Sequence, residues 1–190
     1  RECVSVSFDK PDDRLAIEDA ATGAVTIARP RASAEPRTVE PAEALIIFVK
    51  STATEAAAAQ FAGIASKAAI ALTLQNGLGN EEILRAHFGL ERTAAGVTSQ
   101  GATFLGPGRI RHAGKGPTHM SMSNGKNEQL HALAAAFTAA GLETHVESDV
   151  AALVWSKLVI NVGINALTAL TSQTNGCLLD SEEMKSLMAE

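Results

Sequence analysis

The sequence predicts an α/β protein: a mostly parallel sheet followed by the start of an all-helical region. Two observations carry this. Apolar runs with β-branched residues alternate with alanine-rich helical patterns as far as residue 147. From Ser148 the rhythm changes, because no further strand pattern appears and one long helical pattern runs to about Leu170.

In order, "CVSVSF" (3–8) reads as a strand, "AVTIA" (24–28) as a short one, and "ALIIFV" (44–49) as a strand apolar on both faces, as in the interior of a parallel sheet. "TEAAAAQFAGIASK" (54–67) reads as a helix and "AIALTL" (69–74) as the next buried strand. Then come the helix "NEEILRAHFG" (80–89), closed by Gly89, and the strand "TAAGVTS" (93–99). A hairpin is expected around "GPG" (106–108), then the helix "EQLHALAAAFTAAG" (128–141) and the strand "LETHVE" (142–147). Beyond the long helix, "TSQTNGCLL" (171–179) reads as a loop, and a last helix begins at Asp180 or Ser181 as cap.

The 190 residues suit one domain plus part of another, divided as 1–147 and 148–190. A net charge of −5 argues against a nucleic-acid partner, since phosphate binding needs a basic surface. The basic stretch "RIRHAGK" (109–115) reads as a solvated hairpin, and "RPRASAEPRTVEP" (29–41) as a loop. No uninterrupted apolar run approaches the roughly 20 residues of a membrane span, and no secretory pattern opens the chain. Cys3 and Cys177 are too few and too far apart for a disulfide framework or a zinc site, so a reducing cytoplasm is the default. The five histidines lack ligand spacing, so no metal is expected. A G-x-S-x-G elbow and a P-loop lysine are both absent, and neither "GLGNEE" nor "GPGRIR" completes a dinucleotide fingerprint.

The most informative stretch is "WSKLVINVGINALTAL" (155–170). At about 100° per residue, Lys157, Asn161 and Asn165 fall within an arc of about 80°, with Thr168 and Ser172 continuing the stripe. Lys157 is the only charged residue between Val150 and Leu179. A solvated face would carry paired charges; satisfied core amides with a snorkelling lysine form a second reading. The third is a ligand-facing strip, where a partly desolvated lysine donates a proton and amides orient a polar substrate. Strand ends point the same way, because ligands of open parallel sheets bind at the strands' carboxyl ends. Lys50 follows "ALIIFV" and Asn76 follows "AIALTLQ". Each also has a bland reading, as a snorkelling cation and as the left-handed residue of a tight turn.

With these pieces in place, the chain resembles the ketopantoate reductase (2-dehydropantoate 2-reductase) family, which joins a Rossmann domain to a helical domain. The resemblance rests on "VK" (49–50), "QNGLGNEE" (75–82), "GVTSQGATFLGPGRIRHAGKG" (96–116), "WSKLVINVGINALTAL" (155–170) and "NGCLL" (175–179), in the family's order. It implies a partial Rossmann-type dinucleotide-binding domain over 1–147 and the start of a helical substrate-binding domain over 148–190. It also implies NADPH-dependent reduction of 2-dehydropantoate to pantoate, in pantothenate and coenzyme A biosynthesis. Lys157 would be the proton donor; Asn161, Asn165 and Asn175 would hold the substrate, and Asn76 would meet both substrate and cofactor. Lys50, the backbone of Ala102 and Lys10 fall on the cofactor side. Asp9 beside Lys10 leaves NAD against NADP open on residues alone, and the resemblance favours NADPH.

About 30 residues of the first βαβ unit and the later helical domain are expected to be missing, leaving the isolated chain weakly active or inactive. A reductase of another small 2-oxo acid and a non-catalytic nucleotide-binding module stand as alternatives. Whether the protein is a monomer or a homodimer stays open.

Overall fold

The computed structural model describes residues 14–30, 42–63, 70–124 and 128–189. The strand read at 3–8, Lys10, most of the proline-containing loop and the end of the helix read at 54–67 lie outside them.

The main sheet has five strands in the order β3-β4-β5-β8-β9. They are β3 (Ala44–Ile47), β4 (Ile70–Thr73), β5 (Thr93–Thr98), β8 (Thr118–Met122) and β9 (Thr144–Val146). β3, β4 and β5 run parallel, β8 is antiparallel to β5, and β9 is parallel to β8. Every residue of β4 is buried, and its alternating side chains build two cores. Ile70 and Leu72 join Ala94, Met120 and Met122 beneath Leu130 and Ala134 of helix α3 (Glu128–Ala139). On the opposite face Ala71 and Ile47 meet Ala58 of α1 (Thr54–Ala62) and Leu84 and Phe88 of α2 (Asn80–Phe88). Helices therefore cover both faces, as an α/β sheet requires. Gly89 and Gly141 end α2 and α3 with positive φ angles of 84° and 85°.

A second sheet, ordered β2-β1-β7-β6, stands apart from these cores. Its strands are β1 (Leu15–Asp19), β2 (Val25–Ala28), β6 (Gly101–Gly106) and β7 (Arg109–Gly114). The hairpin expected around "GPG" is β6–β7. Two cations of "RIRHAGK" are paired with acids of β1, Arg111 with Glu18 at 2.8 Å and Lys115 with Asp19 at 2.5 Å. Asp19 also accepts the amides of Ala21 and Thr22, and these partners, Lys115 foremost, lower its pKa to about 2.

Several expectations need correction. β1 and β8 are strands the sequence reading passed over. For the run 44–49, β3 pairs only with β4 among the described residues, and Ile46, Phe48 and Val49 are exposed there. Part of the loop read at 171–179 is a 3-10 turn, Asn175–Asp180. The cap of the last helix, α5 (Glu182–Ala189), is Ser181, whose Oγ accepts the Met184 amide at 3.3 Å. The long helix α4 (Ala151–Thr171) holds an 18-residue window of mean hydropathy 1.5, so by length and composition alone it is long and apolar enough to cross a membrane. Scattered polar residues had hidden this from a search for uninterrupted runs, but composition alone is weak evidence, and the helix is tied to the main sheet by its lysine.

Gly96 marks where β5 and β8 press closest: a Cβ there would lie 2.4 Å from the His119 carbonyl oxygen and 2.8 Å from Leu74 Cδ2. Backbone on one side and core on the other leave no room to yield. Gly96→Ala is expected to cost about 1–3 kcal/mol, read as a lower urea midpoint at unchanged slope; an unchanged midpoint would refute the close approach.

Candidate active site

The carboxyl ends of β3 and β4 are fastened by a small buried polar cluster. Thr54 and Asn80, both in helix first turns and both almost fully buried, must find partners within the protein. Thr54 Oγ1 donates to Asn80 Oδ1 at 2.8 Å. Gln75 Nε2 donates to Thr54 Oγ1 at 2.9 Å and to the Val49 carbonyl at 2.5 Å. Both strand ends and both helix starts are thereby fixed. The sequence reading passed over Thr54 and Gln75; their only signal was a polar residue at the start of a helix and another at a strand end.

On this fixed base Lys50 and Asn76 are exposed. The Lys50 carbonyl accepts the Ala53 amide at 2.8 Å, opening the 3-10 turn that leads into α1. Asn76 accepts a long bond from Asn80 Nδ2 at 3.4 Å through its carbonyl. It is not the left-handed residue of the turn. Gly77 and Gly79 take that part, with φ of 93° and 87°.

Lys157 crosses from α4 to the end of β5. It is half-buried, and its Nζ donates to the Thr98 carbonyl at 2.5 Å. Desolvation by burial lowers its pKa below the ordinary 10.5. One turn on, Asn161 is half-buried; Asn165 and Asn175 are exposed, and Ser172 leaves the helix in the left-handed conformation. The strip thus begins against the sheet and emerges into the open toward its end. Ala102 lies across in β6, exposed and opposite His112. Among the described residues no three His, Cys, Asp or Glu side chains are placed to hold a metal ion.

A cavity of about 410 Å³ opens beside this strip, lined by Gln75, Gly77, Asn80, Ser121, Asp149 and Trp155 among others. Lys157, Asn161 and Asn165 do not line it. Its charged groups, Glu81, Glu82 and Asp149, are all carboxylates, which would repel an anionic acid or a phosphate. The chemistry is therefore better sought along the lysine strip and the strand ends than in this cavity.

The chain resembles known proteins over most of its length. Residues 12–125 match the family description "Ketopantoate reductase PanE/ApbA", and residues 149–190 match "Ketopantoate reductase PanE/ApbA C terminal". A 2-dehydropantoate 2-reductase of Halobacterium salinarum is 40% identical over 159 residues, 83% of this chain and 52% of that protein. The crystal structure of a PanE/ApbA family ketopantoate reductase from Ralstonia eutropha JMP134 superposes with a TM-score of 0.79 at 31% identity, covering 92% of this chain and 56% of the other. A ternary structure of D-mandelate dehydrogenase with NADH and anilino(oxo)acetate shares the fold, with a TM-score of 0.81 at 21% identity, over 92% and 56% of the two chains. These likenesses define the α/β fold of the chain. The chain belongs to the ketopantoate reductase family, and it spans about half the length of the curated relatives it matches.

Because the folded-state pKa of Lys157 lies below 10.5, its ionisation costs stability at neutral pH, a cost that fades as pH rises through the folded-state value toward 10.5. Competitive acetylation across a pH series should find the Lys157 midpoint below that of a free lysine. A midpoint at or above 10.5 would show an amine that is not desolvated.

Proposed function

We propose that the complete polypeptide reduces 2-dehydropantoate to pantoate with NADPH, serving pantothenate and coenzyme A synthesis in the cytoplasm. One observation carries the reading: a single, partly desolvated lysine on an otherwise uncharged helix is held against the carboxyl end of a sheet strand. Family membership supports it.

In this reading residues 1–147 form part of the dinucleotide-binding domain and residues 148–190 begin the substrate domain. Lys157 holds the proton for the keto oxygen and stabilises the negative charge that grows there. One donor of the ammonium is spent on Thr98, and two remain for substrate. Asn161, Asn165 and Asn175 bind the hydroxyl and carboxylate end of the acid, and Asn76 orients substrate and cofactor.

The strand ends suit a dinucleotide. Lys50 offers an exposed cation there, and beside Gly77 and Gly79 there is open space where a Cβ would meet nothing within 4 Å. Lys50, Asn76 and the backbone of Ala102 would hold the cofactor, joined by Lys10. When bound, the reduced nicotinamide supplies the hydride. NADPH is preferred to NADH on the family resemblance.

A second reading has a specific support. D-mandelate dehydrogenase, caught with NADH and anilino(oxo)acetate, shares the fold, so this architecture accommodates another 2-oxo compound. The protein would then reduce a different small 2-oxo acid.

The test is NADPH oxidation by the complete polypeptide with ketopantoate, wild type against Lys157→Ala. Loss of about a hundredfold or more, the scale of a general acid, is expected. Inactivity on ketopantoate with turnover of other 2-oxo acids would move the substrate; no oxidation at all would favour a nucleotide-binding module.

A further inference from the structure

Lys157 is aimed by a peptide group, and that peptide has its own support. The acceptor is the carbonyl of Thr98. The same planar unit carries the amide of Ser99, which donates to the Pro117 carbonyl at 3.0 Å. In a trans peptide the N–H and C=O point in opposite directions, so fixing one fixes the other. Pro117 therefore decides where Thr98 presents its oxygen to the lysine.

Pro117 lies in the connection from β7 to β8, beside the connection from β5 to β6. These two adjacent crossings, both within the described residues, form a neck between the sheets, and the neck is laced by polar bonds. Thr98 Oγ1 and Thr118 Oγ1 lie 2.9 Å apart. The Gln100 amide donates to Thr98 Oγ1 at 3.2 Å. The Gln100 side chain spans the gap: Nε2 donates to the Gly116 carbonyl at 2.5 Å, and Oε1 lies 2.6 Å from His112 Nε2. Gly116 cannot carry a side chain at this spacing, since a Cβ there would lie 2.6 Å from Ser99 Cβ.

We infer that Gln100 is a positioning residue for Lys157: it staples the 115–117 connection to the neck, and so holds the Ser99–Pro117 bond that orients the Thr98 carbonyl. His112 in turn holds the staple's other end. Gln100 needs no contact with substrate or cofactor to act this way. The inference rests on Lys157 being the proton donor, as proposed above.

The experiment is a double-mutant cycle in the complete polypeptide, with steady-state and single-turnover NADPH oxidation. Gln100→Met keeps the length and removes both bonds. Its kcat is expected to fall about tenfold to a hundredfold, the cost of a misplaced catalytic group, with KM for the 2-oxo acid changed less than about twofold. In the Lys157→Ala background the same substitution should cost nothing more, because the group it positions is gone. Should Gln100→Met fail to fold, Gln100→Glu carries the same cycle, since it keeps an oxygen for His112 but sets a carboxylate against the Gly116 carbonyl. Equal losses in both backgrounds, or no loss in either, would overturn the inference and leave the lysine's role standing. Wild-type turnover in Lys157→Ala alone would overturn that role and the inference together.

Discussion

The bond from Lys157 to the Thr98 carbonyl is the constraint on which the site depends. It is the join between the helix that carries the polar strip and the sheet whose strand ends face it. An ammonium taken partly out of water needs an oxygen partner, and a backbone carbonyl supplies one without a second charge. A carboxylate in the same place would draw the pKa upward and hold the proton. A neutral acceptor leaves desolvation in control, and the pKa falls.

Rigidity reaches this join from the core in short steps. β4 is buried on both faces and sets the height of its neighbours. β5 and β8 meet tightly at Gly96, so the exit of β5 at Thr98 has little freedom. Beyond it the chain leaves for the smaller sheet, where the described residues form no comparable core, and hydrogen bonds take over from packing. Dense polar lacing at Thr98, Gln100, His112 and Gly116 is what such a passage needs, because unpaired polar groups beneath a half-buried site would be costly.

Much of the fold was legible because burial writes itself into composition. "AIALTL" and "TAAGVTS" sit in the buried middle of the sheet, and "NEEILRAHFG" combines acids in the first turn with a closing glycine. β8 was missed because "THMSM" has no run of β-branched residues; its burial comes from methionines and from its place between β5 and β9. β1 was missed for the opposite reason: "LAIED" lies in a half-exposed sheet and carries charges that pair across the ladder. Of the candidate site, the strip on α4 could be read as a surface from its period alone. What it faces could not, because Thr98 enters through its backbone carbonyl, Thr54 through a buried hydroxyl and Gln75 through its side-chain amide, and none of these leaves a spacing in the sequence.

The graded exposure of the strip bears on specificity. Lys157 is half-buried against the sheet, Asn161 is half-buried one turn on, and Asn165 and Asn175 are open. In the proposed reading, a substrate laid along it would place its reacting carbonyl at the fixed, partly dry end and its variable end where the described residues impose no wall. Discrimination between acids that share a keto-acid core requires contacts at the differing group. On that reading those positions are Asn165 and Asn175, exposed among the described residues. In the proposed reading, then, the described residues fix the proton donor and the keto-acid core, while the end that distinguishes one acid from another meets only the exposed asparagines.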